Sequence, residues 1–413
     1  MHTLNITKAQ HFIELEEEYG AHNYHPLDVV LERGEGVFLY DVEGRRYFDF
    51  LSAYSAVNQG HCHPHIVKAL VDQAQTLTLT SRAFYNNRLG ETERFMAQTF
   101  GYDKVLMMNS GAEANETAIK LARKWGYQKK GIPANQAVIV AVRDNFHGRT
   151  LGMLSASTES SSRDGFGPYL PGYELIPYGD LKALDHALQN PNVAAFWVEP
   201  IQGEAGVVVP PAGYLAGAAD LCRLHNVLFM ADEVQTGIAR TGRLYACQHE
   251  DVRPDVLILG KALSGGTLPV SAVLADDDVM LTIAPGEHGS TFGGSPLACA
   301  VATASLEVVL NENLAENAER LGVLLRRELE RLANRHHSIL FVRGKGLLNA
   351  IGIRPNNDRT AWELCLMLRD RGLLAKPTRE HIIRLAPPLV ITEAQLMECV
   401  GIMEEAIEAF EAV

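Results

Sequence analysis

Residues 255–266 read DVLILGKALSGG. Val256, Leu257, Ile258 and Leu259 suit a buried strand, yet the run passes through one glycine into Lys261 and then into a glycine-rich turn. A lysine can bury its stem while its ammonium stays in water, and that alone places many lysines at strand ends. The same construction recurs upstream. VLFMADE (227–233) delivers Asp232 after five apolar residues, and AAFWVEP (194–200) delivers Glu199. Three strand ends thus aim charged groups at one rim, and an unpaired buried carboxylate takes up a proton unless a lasting positive partner faces it.

Further short apolar runs, KVLMMN (104–109) and AVIVAV (137–142), alternate with helix-like segments such as EANETAIKLARKWGY (113–127) and PPAGYLAGAADLCRLH (210–225). Apolar runs between helices predict an α/β fold whose mostly parallel sheet is covered on both faces. Ligands are then expected at the carboxyl ends of its strands. Ahead of this region, GVFLYDVEGRRYFDF (36–50) alternates and carries a turn signal at Glu43-Gly44, the pattern of a small hairpin. Beyond residue 312, ENAERLGVLLRRELERLANRHH (316–337) places Leu321, Leu324, Leu325, Leu329 and Leu332 at helical spacing, followed by the mixed segment RGKGLLNAIGI (343–353). The expected division is an N-terminal segment 1–50, a large domain 51–312 and a smaller α+β domain 313–413.

Composition narrows the function. The 413 residues are 47% hydrophobic and 21% charged, an ordinary globular balance for a chain too long for one compact core. A net charge of −13 with no lysine and arginine cluster argues against nucleic acid or an anionic membrane as partner. Cys62, Cys222, Cys247, Cys299, Cys365 and Cys399 are scattered without CxxC spacing, which suits reduced thiols. The opening stretch MHTLNITKAQHFIELEEEYG has neither an apolar core nor an arginine-rich presequence, and no run approaches the roughly 18 apolar residues of a membrane span. A cytoplasmic protein is expected.

An anion site is written in MMNSGAEANETAIKLARKW (107–125), a strand, then Ser110-Gly111-Ala112-Glu113, then a helix. Ser110 and Glu113 match a capping box, which is by itself purely structural. Gly111 and Ala112 leave the first N–H groups uncovered, so a phosphate can sit on the helix N-terminus and its dipole. Lysine, aspartate and a phosphate cradle together describe a site for pyridoxal 5′-phosphate. Lysine would hold the aldehyde carbon as a Schiff base and, once displaced, carry a proton between two carbons. A partly buried strand end favours the neutral amine that this requires. Asp232 would keep the pyridine nitrogen protonated, so that the ring withdraws electrons. Phe146 in DNFHGRT is the candidate cover for the ring face.

At this point the chain resembles the class III, fold-type I pyridoxal-phosphate aminotransferases, and within them the ornithine branch. The likeness runs from GAHNYHPLDVV (20–30) through LTSRAFYNN (79–87), VEPIQGEAGVVVP (198–210), ADEVQTGIARTGR (231–243) and GEHGSTFGGSPL (286–297) to LLAKPT (373–378). It implies a homodimer with two active sites at its interface. It further implies that Lys261 binds the cofactor, Asp232 pairs the ring nitrogen, Gln235 hydrogen-bonds the ring hydroxyl and Phe146 stacks on the ring. Ser110, Gly111 and Ala112 would hold the phosphate, with Ser290 and Thr291 reaching it from the other subunit. For substrates, the resemblance implies L-ornithine entering by its δ-amine and 2-oxoglutarate as acceptor. Arg149 would take the distal carboxylate and Arg384 the one beside the reacting carbon. Glu204, in QGEAG, resembles the glutamate that covers this arginine in the first half-reaction and swings away for the second. A static salt bridge between the two is the plainer alternative, worth about 0–1 kcal/mol. Tyr24 and Tyr54 match tyrosines around the α-amino end and the pocket wall, which separate ornithine from 4-aminobutyrate and N-acetylornithine. The pattern departs at His147, where animal members of the branch carry tryptophan.

Other chemistries fit less well. GHCHPH (60–65) offers His61, Cys62, His63 and His65 as zinc ligands, but adjacent ligands on so short a stretch rarely wrap one ion, so no metal is expected. A decarboxylase or racemase on the same fold leaves the two arginines and Glu204 without a joint purpose. A non-catalytic binding protein leaves Lys261 and Asp232 unexplained.

Overall fold

Three sheets organise residues 7–412, the part of the chain described in this computed structural model. Residues 1–6 of the expected N-terminal segment, and Val413, lie outside the described residues. The expected hairpin sits in an antiparallel meander of β1 (Leu31–Glu35), β2 (Phe38–Asp41) and β3 (Arg46–Asp49). Its turn is pinned by Asp41, which accepts the backbone N–H groups of Glu43 and Arg45.

Strands β4 (Lys104–Met108), β5 (Val138–Val142), β6 (Tyr173–Ile176), β7 (Val193–Val198), β8 (Leu228–Asp232), β9 (Val256–Leu259) and β10 (Ser271–Ala275) build the central sheet in the order β4-β10-β9-β8-β7-β5-β6. From β9 through β8, β7 and β5 to β6 the pairing is parallel, as apolar runs between helices require. β10 is the exception to the parallel pattern, running antiparallel to both neighbours. The connection from β9, residues 260–270, is too short to hold a crossover helix, so the chain folds straight back. Sequence reading misses β6 and β10.

Each central strand feeds two cores, which is why its residues are apolar on both faces. Ile139, Trp197, Met230, Ile258 and Val273 join the cluster with the helix Gly111–Trp125. Val140, Phe196, Phe229, Leu257 and Leu274 join the other, with the helices Tyr214–Leu224 and Pro296–Asn311. Full burial of such side chains contributes about 1.5–3 kcal/mol each.

The helix Leu314–Arg335 buries Leu321, Leu325, Leu329 and Leu332 and half-buries Leu324, matching the spacing in the sequence. It precedes β11 (Ile339–Lys345), β12 (Leu348–Ile353), β13 (Leu373–Leu374), β14 (Pro377–Thr378) and β15 (Ile382–Leu385). β11, β12, β15 and β14 form the third sheet, while β13 leaves to pair with β3 of the first. In β15, Arg384 lies opposite Ala350. Buried Arg240 joins this sheet to the central one, donating to the carbonyls of Leu347 and Pro387 and to the side chain of Asn58. No single helix among the described residues is long and apolar enough to cross a membrane.

Backbone meets backbone where the long helix, the β11–β12 turn and the loop after β8 stack. A Cβ on Gly322 would lie 2.0 Å from the Gly346 carbonyl oxygen, and one on Gly346 would lie 2.2 Å from the Thr241 carbonyl carbon. Gly401, by contrast, sits exposed in the helix Glu393–Glu411 with nothing within 4 Å of such an atom. Gly322→Ala is expected to destabilise the fold by about 1–3 kcal/mol. Gly401→Ala is expected to stabilise it by about 0.5–1 kcal/mol. Thermal denaturation checks the pair; equal melting temperatures would contradict the stacked arrangement.

Candidate active site

Because β7, β8 and β9 are sheet neighbours running in parallel, Glu199, Asp232 and Lys261 emerge side by side at their carboxyl ends. They line a cleft with about 610 Å³ of empty space, its open mouth included. Lys261 adopts φ +44°, in the left-handed region that costs a non-glycine residue roughly 1–2 kcal/mol. Such an outlier points to a site where position matters more than local comfort. Burial lowers the affinity of its amine for a proton, and the attraction of Glu204, Asp232 and Glu199 only partly offsets this. The amine therefore becomes neutral at a lower pH than a hydrated lysine.

Opposite the lysine stands the N-terminus of the helix Gly111–Trp125. The expected capping box is present: Ser110 Oγ accepts the Glu113 N–H, and the Glu113 carboxylate accepts the Ser110 N–H at 2.7 Å. That box does not use the N–H groups of Gly111 and Ala112, and both residues line the cleft. Ser290 and Thr291 lie on a loop outside this cleft, Thr291 exposed and Ser290 Oγ accepting from Asn109 Nδ2 at 2.8 Å.

Asp232 is buried and held from three directions. Its Oδ2 accepts from His147 Nδ1 at 2.6 Å and from Asn115 Nδ2 at 2.9 Å, while Oδ1 accepts the Val234 N–H at 3.1 Å. Trp197 donates its indole N–H to Asn115 Oδ1 at 2.9 Å and stacks on His147 with centroids 3.6 Å apart. Sequence reading anticipated a positive partner for Asp232 but missed Asn115 and Trp197 and knew His147 only as a departure. Glu199, also buried, accepts the N–H groups of Phe146 at 2.8 Å and Gly203 at 3.2 Å. Burial, and then the charge of Asp232, push its carboxyl up to about 8, against the pull of those two N–H groups. It ties the segment bearing Phe146, which lines the cleft, to the segment bearing Glu204.

Arg384, on the third sheet behind the cleft wall, is 5% exposed, so its charge needs a partner. Glu204 provides it, accepting from Arg384 Nη1. Burial works to raise the Glu204 carboxyl, but Arg384 and Lys261 outweigh it and hold the group below the usual range. Gln235 Nε2 lies 3.4 Å from Glu204 Oε1, while Gln235 Oε1 is buried without a partner. A Cβ on Gly203 would fall 1.3 Å from that oxygen, so only glycine leaves Gln235 its place. The Arg384 guanidinium lies 5.0 Å from the Tyr54 ring centre, and that of exposed Arg149 lies 5.8 Å from Phe146. Tyr24 is 62% exposed.

Tyr54 owes its direction to an unusual turn. Ser52, Ala53, Tyr54 and Ser55 all have positive φ, from +46° to +70°. Asp49 offsets this by accepting the Leu51 and Ser52 N–H groups, and Ser52 Oγ donates to the Ala386 carbonyl at 2.6 Å. Nothing in LSAYSAVNQG (51–60) announces the turn, since glycine is absent from its centre.

The histidines of GHCHPH disperse: His61 pairs with Asp49, His63 with Glu312 and His65 with Glu307, at 2.7, 2.9 and 2.7 Å. Among the described residues, His336, Glu404 and Glu408 also come within ligand reach of one another, but Glu404 is already paired with Arg331 and Arg335. The cleft suits a planar ring with a phosphate at one end and a protonated nitrogen at the other. The uncovered helix N–H groups, the buried Asp232 carboxyl and the partnerless Gln235 oxygen are the features that fit it.

The family model described as aminotransferase class-III matches residues 19–407. The chain is 62% identical over 402 residues to the mitochondrial ornithine aminotransferase of Rattus norvegicus, covering 97% of this chain and 91% of that one. It is similar to the solved ornithine aminotransferase of Toxoplasma gondii, with a TM-score of 0.96, 47% identity, and coverage of 99% and 97% of the two chains. A solved acetylornithine aminotransferase from Elizabethkingia anophelis is 59% identical, with a TM-score of 0.90 and coverage of 98% and 100%.

Because the folded Glu204 carboxyl lies below its unfolded range, its contribution to stability is present above about pH 4.3 and is lost as pH falls through the folded value. Glu204→Ala strands the buried Arg384 cation and should cost up to about 3 kcal/mol at pH 7. The melting-temperature gap to the parent should close as pH falls below about 4; a gap constant with pH would contradict the ion pair.

Proposed function

The chain belongs to the class-III aminotransferases, and from that premise we propose that it transfers the δ-amino group of L-ornithine to 2-oxoglutarate. The products are glutamate and glutamate 5-semialdehyde, which closes on its own α-amine to pyrroline-5-carboxylate. The carrying observation is the Arg384–Glu204 pair, a buried cation covered by an anion that lines the same cleft as Lys261.

Pyridoxal 5′-phosphate, the cofactor, supplies when bound an electron-withdrawing ring that stabilises negative charge on the substrate carbon. The N–H groups of Gly111 and Ala112, with Ser110, hold its phosphate on the helix dipole. Asp232 would keep the ring nitrogen protonated, Gln235 would hydrogen-bond the ring hydroxyl and Phe146 would cover one face. Lys261, whose affinity for a proton burial lowers, would take a proton from one carbon and return it to another.

One pocket must accept a diamino monocarboxylate and then a dicarboxylate. While Glu204 covers Arg384, the α-carboxylate of ornithine finds no free cation next to Lys261, so the δ-amine enters first. The α-ammonium and α-carboxylate then lie outward, around Tyr24 and Tyr54. 2-Oxoglutarate brings two carboxylates: Arg149 takes the distal one, and the other displaces Glu204 from Arg384. Exposure of Glu204's side chain, 28% against 6% for Arg384, leaves the glutamate as the partner free to move.

The same reading makes the protein a homodimer in which Ser290 and Thr291 complete the phosphate site of the second copy. Their exposed loop, and the exposed Phe84 and Tyr85 at 72% and 105%, support a covering partner. Residues 51–312 act as the cofactor-binding domain and 313–413 as the smaller domain that carries Arg384, behind the N-terminal segment 1–50. Six free cysteines suit a reducing compartment, cytoplasmic in this reading. The second reading is N-acetylornithine as donor, which the likeness to the Elizabethkingia protein supports; 4-aminobutyrate is the remaining alternative.

Lys261→Ala should abolish the visible absorbance of bound cofactor and lower turnover at least roughly a thousandfold; retained turnover would end the cofactor assignment. Single half-reactions with L-ornithine, N-acetylornithine and 4-aminobutyrate decide the donor. Bleaching with trapped pyrroline-5-carboxylate from ornithine alone is expected, and preference for either other amine would move the enzyme to that activity. Glu204→Gln should raise reaction at the α-amine of ornithine, seen as the α-keto product; unchanged regiochemistry would defeat the covering role.

A further inference from the structure

The acceptor count at Asp232 is unequal between its two oxygens. A carboxylate offers about four lone-pair sites. Oδ2 already takes two donors, His147 Nδ1 and Asn115 Nδ2, whereas Oδ1 takes only the Val234 N–H. The remaining site is therefore on Oδ1, and Asp232 lines the cleft. A ring N–H in the cleft meets Oδ1 only while Oδ2 stays turned toward His147 and Asn115.

We infer that His147 is a positioning residue that fixes the orientation of Asp232 and thereby presents its open oxygen Oδ1 to the cofactor's ring nitrogen. This rests on the pyridoxal-phosphate reading above. At 2.6 Å from a carboxylate oxygen, Nδ1 must carry the hydrogen. Nε2 is buried and has no partner, so among the described residues the ring nitrogens meet Asp232 alone. With nothing on Nε2, the imidazole serves as a donor to Asp232 rather than as a relay to solvent.

The surrounding contacts leave the ring no other orientation. Its face lies on Trp197 with an interplanar angle of 21°. Trp197 donates to Asn115 Oδ1, which turns the amide nitrogen of Asn115 toward Asp232. That nitrogen also lies 3.0 Å from the Gly111 carbonyl, at the start of the phosphate-binding helix. One closed set of side chains thus registers the nitrogen end of the ring against its phosphate end.

Two variants separate donation from packing. His147→Phe keeps a ring on Trp197 and removes the N–H; His147→Asn removes the ring and keeps an N–H at a similar reach. In holoenzyme carrying ring-15N pyridoxal phosphate, wild type should show a pyridinium nitrogen, and His147→Phe should shift it toward neutral pyridine. Loss of one charge-assisted hydrogen bond should lower kcat roughly ten- to a hundredfold with KM for ornithine within about twofold, and His147→Asn should recover most of both. A pyridinium nitrogen and parental kcat in His147→Phe would overturn the inference and leave the aminotransferase reading intact. So would a His147→Asn variant that melts like the parent yet is as impaired as His147→Phe. Wild type that neither binds the cofactor nor turns over ornithine would overturn that reading and this inference with it. If His147→Phe fails to fold, imidazole 15N shifts of the wild-type holoenzyme decide: an Nδ1–H tautomer supports the inference and an Nε2–H tautomer overturns it.

Discussion

Asp232 holds its carboxyl at the end of a strand flanked on both sides by buried strands, shut away from solvent. An isolated carboxylate in such a place takes up a proton, so its ionisation depends on donors aimed at it. His147, Asn115 and the Val234 N–H supply them, and each is held in turn by something larger. Asn115 belongs to the helix whose N-terminus faces the cleft, and His147 is pressed on Trp197 in the neighbouring strand β7. The parallel packing of β7, β8 and β9 is what brings these groups to one rim. A reversed β8 would send Asp232 to the opposite end of the sheet.

The second electrostatic problem is solved in the opposite way. Asp232 is surrounded by several donors, while Arg384 is met by a single carboxylate, Glu204, which the proposed reaction requires to move. A fixed partner suits a charge needed throughout the reaction, and a movable one suits a cation needed for only one of two substrates. The second arrangement depends on the third sheet holding Arg384 over the central one, through Arg240 and the glycine contacts at Gly322 and Gly346. Glu199 links the halves by tying Phe146 to Gly203 through one carboxylate.

The strand ends were legible because an apolar run closed by a charged residue is a local signal, and Glu199, Asp232 and Lys261 all carry it. The capping box at Ser110 and Glu113 was equally local. β10 was not, because its direction follows from the length of a connection rather than from its own residues. The turn at Ser52–Ser55 was hidden since its left-handed backbone is imposed by Asp49 and Ala386 in residues that favour other conformations. The ring of His147, Trp197, Asn115 and Asp232 joins four distant parts of the chain, so no window of sequence displays it. Only the resemblance to a family brought Arg384 and Glu204 together before the fold did.

The account rests on one regiochemical claim, that the cleft presents the δ-amine of ornithine to Lys261 while Arg384 is covered. Supplying the enzyme with [δ-15N]ornithine and 2-oxoglutarate, and measuring 15N in the glutamate formed, tests it most directly. The account predicts label in nearly all of the glutamate and none left in pyrroline-5-carboxylate beyond the unlabelled α-nitrogen. Unlabelled glutamate, with 15N retained in the ornithine-derived product, would contradict it.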